Sequence, residues 1–165
     1  MSITKVSVPE LKELQKVVNK LADAVDALAG TNGTKSITGA TGTLTEDDNG
    51  KTIIFGRTAG TIVTLPAARV GLRFKFVVGV SNTSGANKVI AAAATSLFTG
   101  GILMNGATDL GFIPGGTDYA ISMNGTTTGG LVGTQFELVC VSATQWVITG
   151  VVAGSGTLAT PFAAA

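Results

Sequence analysis

The sequence predicts a mainly β protein, with an N-terminal coiled-coil helix followed by a β-sandwich or barrel-like domain. Three observations carry this expectation. Apolar residues fall at heptad spacing only near the N-terminus, between residues 7 and 30. From residue 44 onwards, short segments alternate apolar and polar side chains between turn residues, and no second helical period follows. Glycine supplies 23 of the 165 residues without a Gly-X-Y period, which fits many turns and excludes a collagen-like rod. The expected organisation is an arm and helix over 1–30, a flexible linker over 31–43, a β-domain over 44–153 and a C-terminal tail over 154–165.

The helix rests on its seam. Leu11, Leu14, Val18, Leu21, Val25 and Leu28 are spaced three, four, three, four and three apart, which places Leu11, Val18 and Val25 at a and the three leucines that follow them at d. Ser7 and Glu10 stand in the capping-box relation, Pro9 falls in the first turn where its missing N–H costs nothing, and Gly30 follows the last seam residue as a stop. Such a stripe can lie on the protein's own domain or meet other copies of itself. Val17, Ala22, Ala24 and Ala29 widen it at e and g, which suits three strands better than two, although Val at a with Leu at d leans towards dimers. A seam of about 27 Å is marginal alone, so the following domain would have to help hold the strands together.

The linker is expected from the Gly, Thr, Ser and Asn content of residues 31 to 42. Ile53 and Phe55, then Ile62 and Thr64, flank Arg57-Thr58-Ala59-Gly60 as a hairpin candidate. Leu72, Phe74, Phe76 and Val78 alternate with Arg73 and Lys75 in the clearest half-buried strand, and Lys88 to Ala92 forms another. Phe136, Leu138 and Cys140 alternate with Gln135 and Glu137, and Ser142 to Gln145 connects them to Trp146, Ile148 and Val151. Residues 93 to 133, interrupted by ten glycines, are expected to be long loops. Phe74, Phe76, Phe136, Leu138, Trp146 and Ile148 should form the core.

Charge narrows the function. Only 13% of residues are charged against a usual figure of about 25%, and net charge is +1. After Lys88 the ionisable side chains other than Cys140 and Tyr119 are Asp109, Asp118 and Glu137. This half either faces other protein or presents a neutral, hydrated Thr/Ser/Asn surface. Without a basic run, nucleic acid and anionic membrane are poor partners. No apolar stretch approaches the length of a membrane span, and the N-terminus lacks a signal-peptide core. The lone Cys140 cannot form an intramolecular disulfide, which fits assembly in a reducing cytoplasm.

The search for chemistry yields no catalytic, cofactor-binding or metal-binding residues. The chain has no histidine, so a Ser-His-Asp triad and imidazole metal sites are impossible, and Cys140 reads as a buried small hydrophobe. Glu46-Asp47-Asp48-Asn49-Gly50 could offer oxygen ligands to calcium, but it lacks the spacing of an EF-hand loop, and Asn-Gly favours a tight turn. Gly50-Lys51-Thr52 resembles the end of a P-loop, but position 45 is Thr and the segment enters a strand. No carboxylate pair is selected by spacing, so the protein is expected not to be an enzyme and to need no cofactor.

One resemblance bears on function. Leu44-Thr45-Glu46-Asp47-Asp48-Asn49-Gly50-Lys51-Thr52, Thr61-Ile62-Val63-Thr64-Leu65-Pro66 and Gly71-Leu72-Arg73-Phe74-Lys75-Phe76 resemble β-domains of tailed-bacteriophage virion proteins. Phe136 to Val141 followed by Gln145-Trp146-Val147-Ile148 fits the same pattern. The resemblance covers most of residues 44 to 152 and implies capsid decoration, head-fibre or tail-fibre proteins, commonly trimeric and assembling rather than catalysing. The resulting expectation is a homotrimer on the virion capsid surface, made in the host cytoplasm and bound non-covalently to the major capsid protein. The alternative is a tail-associated fibre or adhesin domain that binds host glycans.

Overall fold

The computed structural model describes residues 8–30 and 33–165; for Val8, Glu10 and residues 26–30 it describes the backbone alone. The expected cap at Ser7 therefore lies outside the described residues, as does the side chain of Leu28. Helix α1 spans Val8–Gly30, and every described residue after Gly30 that adopts regular structure is in a strand or a short 3-10 turn. The protein is mainly β, with one N-terminal helix, as the patterning predicts.

The strands are β1 (Thr34–Ile37), β2 (Thr41–Thr43), β3 (Thr52–Phe55), β4 (Ile62–Thr64), β5 (Arg73–Val78), β6 (Asn87–Ile90), β7 (Leu97–Asn105), β8 (Leu110–Phe112), β9 (Ala120–Met123), β10 (Gln135–Ser142), β11 (Gln145–Ala153) and β12 (Phe162–Ala163). They form a seven-stranded sheet in the order β1-β3-β5-β10-β11-β7-β8 and a five-stranded sheet in the order β12-β9-β6-β4-β2. Inward residues of both sheets belong to one core, so the fold is a sandwich. Both sheets are mixed, because the chain does not fold back on itself at first. From β1 to β6 it crosses to the other sheet at every connection, so β1, β3 and β5 run parallel in one sheet and β2, β4 and β6 run parallel in the other.

This winding corrects the hairpin expected between Ile53 and Thr64. β3 and β4 lie in different sheets, and the Arg57–Gly60 segment is a corner between them. The corner needs glycine. Gly60 has φ +77°, and a Cβ there would stand 2.4 Å from the Ala86 carbonyl oxygen; Gly85, φ +70°, meets the Ala59 carbonyl at the same distance. The two corners therefore nest backbone against backbone. The facing of β4 also differs from the expected pattern. Val63 and Leu65 point inwards, while Ile62 is exposed.

The expected linker over 31–43 is corrected too, for it contains β1 and β2, with Ile37 buried in the core. Its composition of Thr, Ser and Ile suits strands, and backbone partners in β3 and β4 decide the matter. The expected loops over 93–133 contain β7, β8 and β9, with Phe98, Ile102, Met104, Ile121 and Met123 in the core. The glycines that hid β7 are used by the sheet: at Gly100 (φ +91°) a Cβ would sit 2.4 Å from the Ile148 carbonyl oxygen of β11. The tail over 154–165 is docked rather than free. Phe162 is buried on β12, which pairs with β9, and the Pro161 carbonyl accepts the Ser122 N–H at 2.7 Å. The β-domain thus extends from Thr34 to Ala163.

The core lies where β5, β10 and β11 present their inward faces. Phe74, Phe76, Phe136, Leu138, Trp146 and Ile148 are at most 2% exposed, as alternation predicts. Phe55, Phe76 and Phe136 stack in series, with centroids 6.0 and 5.0 Å apart, and Phe74 lies 6.0 Å from Trp146. β10 and β11 form a hairpin turning at Ala143-Thr144, with a bulge at Val141. Phe76→Ala, at the centre of the stack, should destabilise the protein by about 3–5 kcal/mol. Urea unfolding followed by Trp146 fluorescence measures this, and an unchanged midpoint would contradict the packing.

Candidate functional site

The strongest candidate for a functional surface is the apolar stripe of α1. Pro9 and all residues from Leu11 to Val25 are exposed. Leu11, Leu14, Val17, Val18, Leu21 and Val25 are 50–63% exposed, whereas large apolar residues on the inward faces of the strands are buried almost completely. Between Leu11 and Val25 the stripe is therefore not covered by the β-domain. Five of the six expected seam residues share this exposed face. Elsewhere on the helix Lys16 donates to Glu13 at 2.7 Å and Gln15 Nε2 to Asn19 Oδ1 at 2.9 Å. These contacts lie in solvent and contribute little stability.

The acidic segment 46–50 is built as a turn. Glu46–Asp48 forms a 3-10 turn, and Asn49 accepts the Arg73 N–H on its side-chain oxygen at 2.8 Å. The Asp48 side chain is buried and its oxygens are occupied: Lys35 Nζ donates to Oδ2 at 2.5 Å, Lys51 Nζ to Oδ1 at 3.0 Å and the Thr45 N–H to Oδ2 at 3.2 Å. Lys35 belongs to β1 and Lys51 leads into β3, so one carboxylate fastens an edge strand to its neighbour. Sequence reading missed this cluster because its longest link joins positions 35 and 48, and no spacing rule connects a strand residue to a turn.

Burial acts to raise the Asp48 pKa. The hydrogen bonds from Lys35, Lys51 and the Thr45 amide outweigh it and hold the carboxyl below its usual value of 3.8. Cys140 is held the other way. Burial raises its thiol pKa, only partly offset by backbone hydrogen bonds, and Sγ donates to the Ser142 carbonyl at 3.0 Å. A buried thiol with a raised pKa is a poor nucleophile, consistent with its place in the core.

Among the described residues, the remaining carboxylates do not converge on a reaction centre. Glu46 pairs with Arg69 at 2.7 Å, Glu137 with Arg73 at 3.1 Å, and Asp118 accepts the Gly115 N–H at 2.7 Å. Among the described residues, no group of three or more Cys, Asp and Glu side chains is arranged to hold a metal ion. No helix among them is long and apolar enough to cross a membrane.

A second surface feature lies at one end of the sandwich. A cleft of about 310 Å³ is bounded by the start of β7, the Pro114–Gly116 segment and the turn between β10 and β11. It offers Thr95, Thr99, Ser142, Thr144 and Gln145, all neutral hydrogen-bonding side chains, beside Leu97. Compared with known proteins, the chain matches no family model, no curated protein and no solved structure.

The Asp48 cluster gives a signed pH dependence. The unfolded chain binds a proton near the ordinary aspartate value, while the folded chain binds it only at lower pH. The stabilisation is therefore complete above the unfolded value and is lost as pH falls through the folded one. Asp48→Asn should cost about 1–2 kcal/mol at neutral pH, discounted because both lysines remain partly in water. The gap to the parent protein should close below about pH 4. Urea titrations at neutral and acid pH test this, and a gap of constant size would contradict it.

Proposed function

We propose that the protein is a non-enzymatic virion structural component, a capsid decoration or head-fibre protein that binds the major capsid protein non-covalently as a homotrimer. The observation that carries the self-association is the exposed stripe from Leu11 to Val25. Half-exposed Leu and Val side chains repeated on one face forgo most of the roughly 1.5–3 kcal/mol that burial of each provides. Other copies of the same helix would cover them in a parallel seam. Val17, beside Leu14 and Leu21 and itself 62% exposed, widens the apolar face beyond a two-stranded seam and supports three strands.

Assignment to a virion rests on the resemblance of residues 44 to 152 to tailed-phage β-domains. Immunogold labelling of virions would test the location: label on the head supports decoration, and label confined to the tail contradicts it.

The second reading is a tail-associated adhesin, favoured by the neutral polar cleft between β7, Pro114–Gly116 and the β10–β11 turn. Uncharged hydroxyl and amide groups beside an apolar wall match the hydrogen-bonding surface of a neutral saccharide. A glycan array separates the readings, since specific binding abolished by Gln145→Ala would favour the adhesin.

Leu21→Asp tests the helix seam. It would bring three carboxylates to one apolar axis, where desolvation and like charge both oppose association. The expected result is a trimer mass for the parent at tens of micromolar, and a loss of trimer in the variant with the β-domain still folded, read by light scattering after gel filtration. A monomeric parent would contradict self-association. A variant that remains trimeric would assign assembly to the β-domain.

A further inference from the structure

We infer that Asn105, followed by Gly106, is a site of spontaneous deamidation in the folded protein, and that the fold protects Asn49 and Asn124 from the same reaction. The sequence contains four Asn-Gly pairs, at 32–33, 49–50, 105–106 and 124–125. In such a pair the glycine nitrogen can reach the asparagine side-chain carbonyl carbon without obstruction from a Cβ. Asn32 lies outside the described residues. The other three pairs differ in whether the two reacting groups are already engaged.

At Asn49 both are held. Its Oδ1 accepts the Arg73 N–H at 2.8 Å, and the Gly50 N–H donates to the Arg73 carbonyl at 2.9 Å. Asn124 is held more firmly. Its Oδ1 accepts from the Thr126 and Thr128 amides at 2.9 and 3.1 Å, and its Nδ2 donates to Thr127 Oγ1 at 3.0 Å. The Gly125 N–H donates to the Gly129 carbonyl at 2.6 Å, and Gly125 is buried against Asn82, where a Cβ would meet the carbonyl oxygen at 2.4 Å. Neither asparagine can turn its carbonyl carbon onto the following nitrogen without local opening.

Asn105 is the last residue of β7 and is exposed. Among the described residues, its side chain makes no hydrogen bond, and the Gly106 N–H has no backbone acceptor. Gly106 opens the 106–109 connection to β8, outside the ladder that pairs Asn105 with Ala153. Among the described residues, neither nucleophile nor electrophile is therefore engaged.

The chemistry is balanced by water alone. The Gly106 nitrogen loses its proton to solvent and bonds to the Asn105 side-chain carbonyl carbon. The side-chain nitrogen leaves as ammonia, closing a five-membered succinimide. Water then adds to one of the two ring carbonyls, and the C–N bond at that carbonyl breaks to give Asp or isoAsp. No oxidation or reduction occurs. The product adds a carboxylate near Asp109, in a half of the chain that has no Lys or Arg after Lys88. The isoAsp form also lengthens the main chain by one methylene at the residue whose carbonyl accepts the Gly154 N–H at 2.9 Å, so it should loosen the end of the β7–β11 pairing.

Incubation of the full chain at neutral pH, followed by acid-protease peptide mapping by mass spectrometry, tests the inference at all three sites. Conversion at Asn105 should be at least about tenfold faster than at Asn49 or Asn124, since two or more hydrogen bonds must open at each protected site. In denaturing urea the three rates should converge, and isoaspartyl methyltransferase labelling of the aged folded protein should fall in Asn105→Gln. Equal rates at the three sites in the folded protein, or an Asn105 slower than Asn49 or Asn124, would overturn it.

Discussion

The structure depends on one topological constraint: from β1 to β6 the chain changes sheet at every connection. Up to β6, each sheet is therefore assembled from strands that are not neighbours in sequence, and no early pair can form locally. Thr34, Thr52 and Lys75 come into register across one sheet, while Thr41, Ile62 and Lys88 do so across the other. What holds these rungs is the core between the sheets, because a parallel ladder without a buried face offers little reason to choose a register. The later hairpin of β10 and β11 closes that core with Phe136, Leu138, Trp146 and Ile148. Folding that relies on such distant partners should be slow for a domain of this size.

The same constraint explains where glycine and charge are spent. Corners that pass between sheets approach one another closely, which the Gly60 and Gly85 pair makes possible. At the open edge of the larger sheet, β1 is only four residues long, and the Asp48 carboxylate with Lys35 and Lys51 supplements its backbone pairing. Ion pairs at an edge also discourage further strand addition. Exposed apolar side chains occur on both parts of the chain: the β-domain shows Val70 and Ile113 at 68% and 79% exposure, while α1 carries a stripe of them from Leu11 to Val25 at helical spacing.

Much of this was legible in the sequence wherever one strand shows one exposed and one buried face. β5 and β10 are legible because Phe74, Phe76, Phe136 and Leu138 alternate with charged or polar residues. The helix was legible because its seam is unbroken. Reading failed where alternation is interrupted or the partner is distant. Gly100 and Gly101 break the pattern of β7, and Thr and Ser in β1 and β2 look like linker until β3 and β4 are seen beside them. Periodicity also identified β3 and β4 as strands but could not tell a hairpin from a crossing between sheets, since that depends on the corner and on distant strands. The apolar stripe of α1 is legible from its spacing alone. The Asp48 cluster and the cleft beside Thr144, being assembled from separated segments, carried no local signal.

The central functional claim is that other copies of the chain cover the stripe on α1. Hydrogen exchange of the intact protein at several concentrations tests it most directly, because an isolated helix of this length frays whereas a bundled one is protected. The account predicts that amides between Leu11 and Val25 are protected, increasingly so at higher protein concentration, while those of β5 and β10 stay unchanged. Exchange of the α1 amides at the unprotected rate at every concentration would contradict it.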